Sequence, residues 1–140
     1  MRKLWMAILL AGLFADIASG FVFVAAERVA PIIVAAGEPE CVRRAAVDLA
    51  SDVLKITGRK PEVSVGGAIP SGPCVIVGTR AGGGTWESYR VETTGERLVI
   101  EGGDARGTMF GVYAFIETYL KVDPLYFWSG REPAKRSELK

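Results

Sequence analysis

Apolar and polar positions fall into distinct rhythms along this chain, and each rhythm predicts an element. Ala30 to Ala36 is an unbroken apolar run, rich in β-branched residues and closed by Gly37. Such a run suits a strand buried on both faces. After Glu38-Pro39-Glu40, apolar residues recur at Val42, Ala46, Leu49, Val53 and Ile56 in steps of four and three. That is one stripe of a helix over about residues 39–57. Proline is tolerated in a first helical turn, and the flanking acids favour the positive end of the dipole. Gly58 supplies a left-handed stop and Pro61 bars continuation.

Beyond this helix the rhythm shortens. Glu62 to Val65 alternates as a short strand, residues 66–73 form a Gly/Pro-rich loop, and Cys74 to Gly78 is a second buried strand. After Gly82-Gly83-Gly84, the stretch Trp86 to Glu92 puts Trp86, Ser88, Arg90 and Glu92 on one face. Arg97 to Glu101 returns after the turn Thr94-Gly95-Glu96, so the two runs make a hairpin. Asp104 is a good N-cap for a helix starting at Ala105 and ending near Lys121. Its expected apolar face is Met109, Val112, Tyr113, Ile116, Tyr119 and Leu120. Asp123-Pro124 stops it, and Leu125-Tyr126-Phe127-Trp128 follows as an aromatic strand or docking segment. The first strand-helix-strand unit favours a parallel pair, while short connections between the middle strands favour antiparallel neighbours. The expected fold class is α/β of the α+β type, a mixed β-sheet with two α-helices packed on one face.

The N-terminus changes the picture of where the chain works. Arg2 and Lys3 precede an apolar run from Leu4 to Ala15, followed by Asp16 and Ile17-Ala18-Ser19-Gly20. A short basic start, an apolar stretch and small residues at its end make a secretory signal, expected over residues 1–26. Small residues stand where a signal peptidase reads both for cleavage after Gly20 and for cleavage after Ala26. The competing reading is an uncleaved anchor from Leu4 to Ala26, with Asp16 near its middle. Export places the chain in the periplasm or outside the cell. Removing Arg2, Lys3 and Asp16 from the 17 basic and 16 acidic residues leaves the remainder formally neutral. A neutral domain without a basic stripe is a poor nucleic-acid binder. The mixed-charge run from Arg131 to Glu138 reads as a solvated linker. Cys41 and Cys74 pair only if the second strand starts at the end of the sheet where the first helix begins. The sequence alone leaves that open.

Candidate chemistry is sparse. The chain has no histidine and no CxxC spacing, so no metal site is expected. The absence of histidine also excludes Ser/His and Cys/His nucleophilic devices. The strand, glycine turn and helix across Leu98 to Gly107 imitate a dinucleotide site, but Asp104 stands where the second glycine would let backbone approach the pyrophosphate. No cofactor is expected. Asp48, Asp52, Glu87, Glu92 and Glu101 are carboxylates for which nothing in the spacing forms a glycosidase-type pair. Trp86 and Trp128 remain, as contacts to a glycan or to a neighbouring domain.

The stretch Cys41 to Pro61 resembles the first helix of the N-terminal domain of bacterial α-glucuronidases, and Cys74 to Thr79 the strand after it. Trp86 to Tyr89 and Leu98 to Tyr113 carry the most telling likeness, an Asp-x-Arg-Gly-Thr-x-x-Gly-x-Tyr pattern made here by Asp104, Arg106, Gly107, Thr108, Gly111 and Tyr113. The chain is thus similar to glycoside hydrolase family 115, with the family 67 N-terminal domain and the second domain of β-hexosaminidases as relatives of like fold. The resemblance implies a β-hexosaminidase domain-2-like accessory domain over residues 27–133, with residues 134–140 a linker or the truncated start of a missing catalytic barrel. It implies glycan processing by the parent architecture and a (β/α)₈ catalytic domain as partner, in cis or in trans. Asp104, Arg106 and Gly107 would organise the helix start, Trp128 would dock the barrel, and no catalytic residue falls in this chain. The alternative from another class is a stand-alone module that binds plant-type glycan through Trp86 and Trp128.

Overall fold

The computed structural model describes residues 20–140, so the signal-peptide reading falls mostly outside the described residues. A short hairpin opens the domain, β1 (Val24–Ala25) against β2 (Arg28–Val29). Then come β3 (Ile32–Val34), α1 (Glu40–Thr57), β4 (Val63–Val65), β5 (Cys74–Thr79), β6 (Tyr89–Thr94), β7 (Arg97–Gly102), α2 (Ala105–Thr118) and α3 (Tyr126–Ser129). Five strands form one mixed sheet in the order β4-β3-β5-β7-β6. β3 is parallel to both β4 and β5, β5 is parallel to β7, and only β6 runs antiparallel, against β7.

This corrects the expectation of antiparallel middle strands. β4 and β5 are not neighbours, because β3 lies between them. The loop 66–73 carries the chain back to the start of the sheet, so its length serves a parallel return and not a tight turn.

Register explains the core. Ile32, Val75 and Leu98 share one row across the sheet, and Val34, Val77 and Ile100 share the next on the same face. Both rows meet α1 through Val42, Ala46, Leu49, Val53 and Ile56, and α2 through Val112, Phe115 and Ile116. Helices α1 and α2 pack on each other and share strand neighbours, which places both on this face. Each fully buried Val, Leu or Ile contributes about 1.5–3 kcal/mol, so this layer is the main source of stability. Gly58 ends α1 with φ 75°, its N–H on the Leu54 carbonyl at 2.8 Å, as the sequence implied. Tyr113 and Tyr119, expected on the buried face of α2, are instead exposed, and Phe115 takes the inner position. Asp52, expected off the buried stripe of α1, is buried beside Lys55.

Three further expectations change. Leu125–Trp128 is no strand: Asp123 caps the Leu125 N–H at 2.8 Å and the chain turns into the single-turn helix α3. The tail is docked and not a solvated linker. Leu139 is buried and exchanges backbone hydrogen bonds with Val24, while the Arg136 N–H donates to the Ile56 carbonyl at 2.9 Å. Phe23 and Val24 are equally buried, so the folded unit reaches past residues 27–133 at both ends. Cys41 and Cys74 are free, one exposed and one buried. α1 starts after the C-terminal end of β3, whereas Cys74 opens the parallel strand β5 at the other end, so direction keeps them apart.

Candidate functional site

The Asp-x-Arg-Gly segment sits where β7 gives way to α2, and Asp104 is its hub. One carboxylate oxygen accepts the Gly107 N–H at 2.7 Å, capping the helix. The other accepts the Glu87 N–H at 3.1 Å. These two N–H donors, led by that of Gly107, hold the Asp104 carboxyl below the usual carboxylate range. Arg106 reaches back to the Glu87 carboxylate at 2.9 Å, and its guanidinium lies 5.7 Å from the ring centres of both Trp86 and Phe110. Gly107 is a glycine for want of room: a Cβ there would lie 2.1 Å from the Ser88 carbonyl oxygen. The loop Thr85–Ser88 is thus laid flat on the helix start.

Glu87 takes φ 55°, a left-handed conformation that a non-glycine residue adopts at a cost. The contacts of Asp104 and Arg106 offset it. The outcome is that Trp86 stands out from a fixed loop with 71% of its surface exposed. Trp86 to Ser88 therefore belongs to this loop and not to the strand, which begins only at Tyr89.

Beneath the loop runs a polar chain that the sequence reading missed. Buried Glu38 accepts the Thr79 N–H at 2.5 Å and the Thr79 hydroxyl at 3.0 Å. The Thr79 and Thr108 hydroxyls lie 3.0 Å apart, and Thr108 donates to the Asp104 carbonyl at 2.9 Å. In the sequence Glu38 reads only as an acid near a helix dipole. The signal available was Thr79 ending an apolar strand and Thr108 inside a helix's first turn, each needing a partner if buried.

The second aromatic site is α3. Phe127 and Trp128 meet edge to face, 5.6 Å between ring centres, with 80% and 82% of their surfaces exposed. Their helix is anchored by Asp123 and by the Tyr126 hydroxyl on Lys55. Burial works against the Lys55 charge, but Tyr126 and Asp52 outweigh it and raise the ammonium above the ordinary lysine value. Trp86 stands by the first turn of α2 and Trp128 follows its last. At about 1.5 Å per residue the helix between them spans about 21 Å. The two tryptophans do not share one platform.

The carboxylates offered by the sequence are each taken. Glu92 and Glu101 pair with Arg90, Glu101 also with Arg80, and Glu87 with Arg106. Partial desolvation, together with the hydrogen bond that Asp48 accepts from the Tyr113 hydroxyl at 2.7 Å, pushes that phenol up to about 12. Asp48 and Asp52 do line a cavity of about 360 Å³ between α1 and α2, but Lys55, Tyr113 and Tyr126 share it with them. Burial pushes the Cys74 thiol up, away from nucleophilic thiolate. Among the described residues no three His, Cys, Asp or Glu side chains converge to hold a metal ion. No helix of the described residues is long and apolar enough to cross a membrane.

No protein-family model matches the chain, and no curated protein does. Solved structures do. The chain is similar to a family GH115 4-O-methyl-α-glucuronidase with specificity for decorated arabinogalactans, at 20% identity and a TM-score of 0.63 over 86% of this chain. The fold is one that glycoside hydrolases carry. A GH138 enzyme targeting pectin rhamnogalacturonan II aligns more loosely, at 15% identity and a TM-score of 0.42 over 77% of this chain. The chain spans 17% of the first enzyme's length and 15% of the second's. In this fold the Asp104, Arg106 and Gly107 cluster locks a loop to a helix.

Proposed function

We propose that this chain is a non-catalytic accessory domain of an exported glycoside hydrolase of the α-glucuronidase type, seated against a (β/α)₈ catalytic domain in cis or in trans. One observation carries the reading: a fold found in a far longer α-glucuronidase here holds Phe127 and Trp128 outward on an anchored helix. Exposed aromatic pairs of this kind are the usual anchors of an interface. The neutralised carboxylates support a role in assembly over one in chemistry.

Calorimetric titration of the purified chain into the isolated barrel of a family 115 enzyme tests this. Saturable binding is expected, with Trp128→Ala weakening it by about tenfold or more. No heat in either titration would remove the proposal. Trp86, exposed beside a guanidinium and a carboxylate, favours the second reading, a glycan-binding module. Xylo- and glucurono-oligosaccharides bound by the chain alone, and lost with Trp86→Ala, would establish that reading instead.

A further inference from the structure

The sequence leaves two positions open for removal of the export signal, after Gly20 and after Ala26, and the core distinguishes them. Phe23 and Val24 are 2% and 0% exposed. Val24 pairs with Val29 on one side and Leu139 on the other. The Phe23 carbonyl accepts the Ala30 N–H at 2.8 Å, the Val24 carbonyl accepts the Leu139 N–H at 2.9 Å, and the Ala25 carbonyl accepts Arg59 at 2.7 Å. A product starting at Glu27 would lose two core side chains and leave those donors without partners. Gly20 is exposed, and a Cβ there would meet nothing within 4 Å, so the fold makes no demand on Gly20 itself.

We infer that signal peptidase cuts between Gly20 and Phe21, with Ala18 and Gly20 as the small residues it reads, and that the mature domain begins at Phe21. The inference rests on the export proposed above. Water adds across the Gly20–Phe21 peptide bond: its oxygen completes the Gly20 carboxylate, and the Phe21 nitrogen leaves as the new terminal amine. The new end then lies where Phe21 packs at a tilt against Phe23, ring centres 5.6 Å apart, beside the tail that pairs with β1.

The test is the intact mass of the full chain after expression in an export-competent bacterial host, for the unaltered protein and for Ala26→Lys. Ala26 is an exposed turn residue, so the substitution blocks the second position and spares the fold. Both proteins are expected to yield residues 21–140. A product starting at Glu27, or loss of processing in Ala26→Lys alone, overturns the site. Retention of Met1 in both overturns the cleaved-signal reading in favour of the uncleaved anchor, which is a different result and leaves the docking titration unaffected. As a second measurement, a chain made from Glu27 onward is expected to melt at least about 10 °C below one made from Phe21. Equal melting would remove the structural ground for the choice.

Discussion

At the residue scale, the Asp-x-Arg-Gly pattern is a fastening, and each member has a separable consequence. Gly107→Ala would drive a methyl group into the Ser88 carbonyl, 2.1 Å away, and backbone on both sides has little freedom to move. The expected cost is about 3 kcal/mol or more, read as a lowered denaturant midpoint. Asp104 gives a pH signature. Its folded value lies below the unfolded one, so its stabilisation is complete above about pH 4 and is lost as pH falls through the folded value. Asp104→Asn removes that titration. The melting-temperature gap between wild type and variant should be widest near neutrality and close toward about pH 2. A gap that does not change with pH would mean the carboxylate charge contributes nothing.

At the element scale, the docked tail makes the sharpest prediction. Leu139 is 5% exposed, and Leu139→Ala should cost about 2–4 kcal/mol by urea unfolding. A free linker would give no change. Trp128→Ala removes a largely exposed ring and should leave stability within about 0.5 kcal/mol while weakening docking. Helix α1 was legible because its apolar stripe, proline entry and Gly58 stop agree. The helix-capping role of Asp104 was legible for the same reason, since a cap followed by an apolar face is a local signal. Strand order was not legible. β3 inserts between β4 and β5 through contacts distant in sequence, and local pattern carries no information on them. The tail misled because its charges are exposed, while its one buried large apolar side chain, Leu139, stands among polar neighbours and Arg136 docks through hydrogen bonds to distant carbonyls. Glu87's grip on the Asp104 and Arg106 side chains was hidden likewise, as it joins residues 17 and 19 positions apart.

At the scale of the whole molecule, the two tryptophans face separate surroundings, so one function need not use both. The purified chain should release no product from any glucuronoside, and measurable turnover that survives repurification would refute the assembly role. The bridge between Val24 and Leu139 has a mechanical meaning as well. The first strand and the tail lie side by side, so tension applied between the two ends of the fold would peel them apart bond by bond before it strained the sheet. Such a clasp would let the domain open first at its mouth, under modest force, with its layered interior still intact.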